Sequence, residues 1–206
     1  MSEVEIKENE EKVDVLASKV ISGFKGFFDS ADAPWYYSAT VIDYINDYYH
    51  NYNDEDLIKF LSEISGLNYN EFKQAWYSLN VEQKNNAINL IISDIAELGL
   101  ESLLMAIANA WEVYDFSDIR HRIMRVAKEY LNNKIQFYDM AFEIEDIFWP
   151  NEKIKENERE NIDNYWKGIS LIDYITKSKA LELVQKYLIN EIDAIEKDLN
   201  LGKSAP

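Results

Sequence analysis

The only two histidines in this chain each follow an aspartate by three residues, as Asp47/His50 and Asp118/His121. On a helix this spacing puts carboxylate and imidazole on one face, and Asp43 extends the first pair by another turn. Helical bundles that hold two metal ions use such pairs together with further carboxylates, all projecting inward. Direction argues against that here. Helical rotation places Asp43, Asp47 and His50 opposite an apolar stripe, and His121 opposite Ile119, Ile123, Val126 and Tyr130. Two residues at helical spacing are a weak metal signature. Asp47, His50, Asp118 and His121 therefore stand as a weaker metal-binding alternative, and the expectation is a chain with no metal or cofactor.

Other chemistry leaves little trace. No nucleophile elbow, Walker loop, dinucleotide fingerprint, H-E-x-x-H or calcium-loop spacing occurs, and the absence of cysteine removes thiolate chemistry and disulfides. A helical, carboxylate-only nucleotide hydrolase needs little beyond acids and Mg²⁺. Glu143-x-x-Asp146 fits half of that pattern. Asp94, Glu97 and Glu101 could complete it only if Gly99 left their helix intact, and Gly99 is expected to stop or kink it.

Charge is the clearest signal. The 206 residues carry 38 acids against 21 bases, a net charge of −17. Seven acids and no base lie between Lys25 and Lys59, and six acids and no base between Lys84 and Arg120. RHRIMR then holds three of the four arginines, and residues 120–134 have five bases and one acid. Rotation turns Arg122, Arg125 and His121 outward and leaves Arg120 at the margin. The plain account is that these arginines neutralise carboxylates on neighbouring helices, in pairs worth little each. The functional account is a guanidinium patch that docks an acidic surface, including that of a second copy in a homodimer. So acidic a surface repels nucleic-acid backbones and anionic membranes, so neither is an expected partner.

Aromatic residues raise a second question. PWYYSATVIDYINDYYHNYN, residues 34–53, holds six of the fourteen tyrosines and no lysine or arginine. With Tyr37 at zero, rotation gathers Val41, Tyr44, Ile45, Tyr48 and Tyr52 within an arc of about 100°. Most of these rings are thus expected in the core. Tyr36 and Tyr49 flank the stripe as contact candidates. Of the five tryptophans, Trp76, Trp111 and Trp166 fit apolar stripes, and Trp35 and Trp149 sit beside prolines at helix ends as candidate anchors.

Helical periodicity positions all of these residues, and strand alternation is nearly absent. The expected fold is all-α, an irregular bundle of about eight or nine helices with antiparallel neighbours. Residues 1–9 read as a disordered acidic N-terminus, unlike a secretory leader. Residues 10–150 read as the main helical domain, 151–161 as a polar linker or frayed helix start, 162–200 as a C-terminal helical pair packed on that domain, and 201–206 as a tail. The first helix spans 10–28, with Val13, Leu16, Val20, Phe24 and Phe27 on its stripe. Asp32 is the expected cap of the second. Asn53 or Asp54 opens a third that Gly66 ends, Asn68 opens a fourth, and Asn80–Gln83 forms a capping box before a fifth ending at Leu98. A sixth covers Leu100–Tyr114, and a seventh runs from Ser117 to Phe148, bent at Asn132-Asn133. Ser178 separates the last two. No apolar run reaches the roughly 20 residues that span a bilayer, so the expected location is the cytoplasm, in soluble form.

These features support a non-enzymatic, acidic interaction module: an adaptor, inhibitor or immunity-type antagonist with a protein partner of basic character. Asp43 and Asp47 rise about 6 Å apart along the helix, a spacing that could imitate a phosphate backbone. Arg120, Arg122, Arg125, Asp43, Asp47, Trp35 and Tyr36 are the candidate contact residues. The alternatives are a self-associating structural subunit, of a virion or scaffold, and the metal-dependent enzyme above. The abundance of Lys, Asn, Ile and Tyr hints at an AT-rich coding sequence, as in mobile elements.

Overall fold

A computed structural model describes residues 3–109, 117–148 and 156–202. Among these the chain is all-α, with no strand, and no helix is long and apolar enough to cross a membrane. The chain divides into two compact units, Met1–Leu98 and Gly99–Pro206. The polar segment 151–161 falls inside the second, and the helices expected over 162–200 share that unit with the Ser117–Phe148 region.

In the first unit α1 (Glu3–Phe28), α2 (Pro34–Asn51), α3 (Asp54–Ser65) and α4 (Tyr69–Tyr77) follow one another, and α5 (Val81–Asn109) begins. α1 starts at Glu3 rather than near residue 10, because an acidic opening turn suits the positive end of the helix dipole. Val13, Leu16, Ala17, Val20, Ile21, Phe24 and Phe28 form its buried stripe. Phe27 is exposed, lying at the edge of the arc on which Phe28 sits more centrally. α1 packs on α3, which packs on α2 and α4. The closest approach is at Gly23, where a Cβ would lie 1.8 Å from the Ser65 carbonyl oxygen. Only a residue without a side chain lets these backbones meet.

Local sequence sets most of the ends. The Asn53 side chain accepts from the Asp56 N–H (3.1 Å), and Asp54, Glu55 and Asp56 complement the α3 dipole. Gly66 closes α3 at φ 63°, with the Leu67 N–H reaching the Ser62 carbonyl (3.1 Å). Asn68 caps α4 through the N–H groups of Asn70 and Glu71. The capping box before α5 is reciprocal: the Asn80 N–H donates to Gln83 Oε1 (2.8 Å) and the Gln83 N–H to Asn80 Oδ1 (2.9 Å). α2 differs from expectation: Ala33, not Asp32, holds the cap position and makes no side-chain cap. Pro34 in the first turn sets the helical φ without one.

Two expected breaks move. Gly99 does not interrupt the helix; α5 runs unbroken from Val81 to Asn109. One glycine costs about 1 kcal/mol in a helix interior, and the buried aliphatic residues of that helix offset it. Conversely, the expected helix from Ser117 to Phe148 is two, α6 (Ser117–Leu131) and α7 (Phe137–Phe148). Asn133 adopts φ 56°, its N–H bonds to the Tyr130 carbonyl and the Lys134 N–H to the Glu129 carbonyl, both at 2.9 Å. This is a glycine-type helix stop built on asparagine, which tolerates the left-handed region. The Gln136 N–H then donates to Asp139 Oδ2 (2.9 Å) to open α7.

The second unit continues with α8 (Glu156–Ile169), a 3₁₀ turn (Ser170–Tyr174), α9 (Lys177–Leu183), a π-helical stretch (Val184–Asn190) and α10 (Glu191–Gly202). Thr176 caps α9 through the Lys179 N–H (3.3 Å), displacing Ser178 as the separator, and α9, the π stretch and α10 form one rod. α6 packs on α7 and on the π stretch. The buried Tyr165 hydroxyl donates to the Ala141 carbonyl (3.0 Å), tying α8 to α7, and burial pushes its pKa up.

Candidate interaction surfaces

The inward face of α2 consists of Ser38, Ala39, Val41, Ile42 and Ile45. Its centre lies about 100° from Tyr37, one residue step round from the expected arc. The tyrosines expected in the core therefore border it instead. Tyr44 is 50 % exposed and Tyr52 59 %. Val and Ile have nothing to lose in a dry core, whereas a buried tyrosine hydroxyl needs a partner. The rings shield one another at the surface. Phe60 of α3 lies 5.6 Å from Tyr44 and 5.3 Å from Tyr48, and Tyr48 lies 5.4 Å from Tyr52. Four rings thus make a ledge across α2 and α3. Tyr37 stacks on Phe24 of α1 at 5.5 Å.

Asp43, Asp47 and His50 are exposed, as their rotation requires. Asp47 accepts from the Asn51 amide (2.7 Å), and the His50 ring meets Tyr49 edge-on. The Tyr49 hydroxyl donates to Asn85, so this ring belongs to internal packing rather than to a contact surface. Burial raises its pKa, helped by the Asp54 charge and opposed by Lys84. Tyr36 is exposed; Trp35 is half-buried, and its Nε1 is buried with no hydrogen-bond partner. Trp35 is therefore no exposed anchor. Trp149 and Trp111 lie outside the described residues, and Trp166 is half-buried rather than core.

Lys73 and Lys84 serve the acids that open α3. Asp54 Oδ2 accepts from Trp76 Nε1 (3.0 Å) and Lys84 Nζ (2.5 Å), and Lys84 lies 5.6 Å from the Trp76 ring and 5.1 Å from that of Tyr77. Burial pushes the Asp54 carboxyl up, but both hydrogen bonds and the Lys84 charge outweigh it and hold the pKa below its ordinary value. Glu55 accepts from Lys73 (2.6 Å) and from the Tyr69 hydroxyl.

α6 carries the opposite chemistry. Ile123, Met124, Val126, Ala127 and Tyr130 are buried. Arg120, expected at the margin, is 5 % exposed and belongs to the interior, not to a contact surface. Its methylenes suit an apolar seam while the guanidinium seeks polar company. Arg122, Arg125 and Lys128 face solvent. With Lys134 they make no side-chain hydrogen bond or ion pair among the described residues of their own unit. His121 Nε2 lies 3.6 Å from Glu196 of α10. A shallow depression of about 360 Å³ runs past His121, Arg125, Lys128 and Lys134. The side chain of Asp118 lies outside the described residues. Among them, no group of three or more acids and histidines is placed to hold a metal ion.

α7 holds a surface that sequence reasoning missed. Phe142 is 55 % exposed, one turn from exposed Tyr138, and Asp139, Glu143 and Asp146 share that outer face. The signal was FYDMAFEIEDIF, a base-free segment with aromatics four apart. The Tyr138 hydroxyl donates to Asp173 (2.8 Å), and burial, with that carboxylate, pushes its pKa up to about 12. Glu101, considered for a carboxylate site, instead accepts from Lys186 (2.9 Å) and the Tyr187 hydroxyl of the π stretch.

Compared with known proteins, the chain matches no family model, no curated protein and no solved structure.

Proposed function

We propose that this chain is a non-enzymatic helical interaction module that docks a basic protein segment on the outer face of α2 and α3. The observation that supports this is the ledge of Tyr44, Tyr48, Tyr52 and Phe60 beside Asp43 and Asp47, on a helix without lysine or arginine. Arginine and lysine bind such a surface twice over, through the faces of the rings and through the carboxylates. Rings that already pack on one another lose little freedom on binding. Tyr36 lies in the first turn of the same helix and extends the contact residues.

An adaptor, an inhibitor or an immunity-type antagonist would all use such a face. The test is titration of a fluorescent arginine-rich peptide into the full chain at low and high salt. Wild type should bind at low salt and release at high salt. Tyr44→Ala with Asp43→Asn and Asp47→Asn should weaken binding about tenfold or more while leaving the circular dichroism unchanged. Equal binding by wild type and this variant would overturn the reading.

A further inference from the structure

The basic strip of α6 identifies a partner for that ledge. We infer that the occupant is a second copy of this chain, whose Arg122, Arg125 and Lys128 seat on Tyr44, Tyr48, Asp43 and Asp47; this rests on the docking reading above. Three observations carry it. The strip is unpaired within its own unit: Arg122, Arg125, Lys128 and Lys134 make no side-chain hydrogen bond or ion pair with the described residues there. α2 carries acid and aromatic side chains with no lysine or arginine from Pro34 to Asn51. The rises are also close enough for flexible cationic side chains to reach both acids. Asp43 and Asp47 are separated by about 6 Å of helix rise, and Arg122, Arg125 and Lys128 span about 9 Å in two steps.

A small free anion is the competing occupant of the strip, and the position of the strip disfavours it. Lys128 and Lys134 flank the C-terminal end of α6, where the unsatisfied carbonyls make the local field negative. A helix face that brings several carboxylates and ring faces at once does not depend on that field. The net charge of −17 opposes association in general, so only close contact between opposite patches, within a Debye length of about 10 Å, can hold two copies together. Because the two surfaces differ, each copy offers one of each. The contact can then close reciprocally into a pair or continue into a longer assembly.

The experiment is molar mass by size exclusion with light scattering, across protein concentration and salt. Wild type should be a dimer or larger at low salt and a monomer at high salt. Arg122→Glu with Arg125→Glu should be monomeric, as should Asp43→Lys with Asp47→Lys. Mixing these two variants should restore assembly, because each then presents the charge the other lacks. That recovery also excludes misfolding as the cause of either loss. The arginine-rich peptide separates this proposal from the one it rests on. The arginine variant should bind the peptide as well as wild type does, and the aspartate variant more than about tenfold more weakly. A wild type that stays monomeric at low salt yet binds peptide through α2 overturns self-pairing and leaves the docking face standing. A mixture that stays monomeric overturns self-pairing as well. Loss of both assembly and peptide binding overturns both.

Discussion

α2 and α6 are helices of similar build and opposite surface. Each buries an aliphatic stripe, Val41, Ile42 and Ile45 in one and Ile123, Val126 and Ala127 in the other. The side chains beside the stripe differ. α2 borders it with tyrosines, of which Tyr44 and Tyr48 pack into a ring ledge with Phe60. α6 borders it with arginines, one drawn into the interior and two left in solvent. In these two helices the aliphatic residues decide which way the helix faces, because they gain from a dry core without needing a polar partner. Amphipathic residues take the margins, and their identity sets the surface chemistry.

Substitutions at the stripe and at its margin should separate these roles. Ile45→Ala leaves a cavity in a fully buried site and should cost about 2–5 kcal/mol, whereas Tyr44→Ala should cost about 1 kcal/mol or less. Urea unfolding of both variants checks this. Similar losses would mean that the rings, not the aliphatics, hold α2 down. The same contrast holds within α6. Arg120→Ala removes a buried side chain and should cost about 2 kcal/mol, while Arg125→Ala should stay within about 0.5 kcal/mol.

The acids that open α3 provide a pH-dependent version of the comparison. The Asp54 pKa is depressed in the folded chain, so its contribution is complete above the unfolded carboxyl value and is lost as pH falls through the folded one. Asp54→Asn should cost about 1–2 kcal/mol at neutral pH, and the deficit should shrink below about pH 4. Urea midpoints at pH 7 and pH 3 would show it. Arg125 faces solvent and makes no ion pair among the described residues of its unit, so Arg125→Ala should show the same small difference at both. A further comparison concerns the stops. α3 ends on Gly66 and α6 on Asn133, both left-handed. Asn133→Gly should stabilise by about 0.5 kcal/mol and Gly66→Ala should destabilise by about 1 kcal/mol, read from thermal midpoints.

Several side-chain caps were legible, though not that of Thr176, where Ser178 was expected instead. Asn53, Asn68 and the Asn80–Gln83 box depend on neighbours within three residues, so the sequence contains the whole interaction. Gly99 and Asn133 were misread for one reason. A glycine stops a helix only if nothing else holds the turn together, and an asparagine stops one if the following segment has somewhere to pack. Neither condition is local. The solvent exposure of Asp43, Asp47, Arg122 and Arg125 was legible from rotation alone. Arg120 was not, because a margin position becomes interior only when a neighbouring helix covers it.

The sequence by itself determined that the chain is helical, that its acids and bases are segregated along it, and that Ile123, Val126 and Tyr130 line one face of α6. These follow from a period of 3.6 residues and from charges counted along the chain, both of which are local quantities. Tertiary structure alone decided that Tyr44 and Tyr52 lie on the surface, that Lys73 and Lys84 are taken up by Glu55 and Asp54, and that Arg122, Arg125 and Lys128 make no ion pair among the described residues of their own unit. Each of these depends on which side chain another helix brings within about 4 Å, and no period in a single helix carries that information.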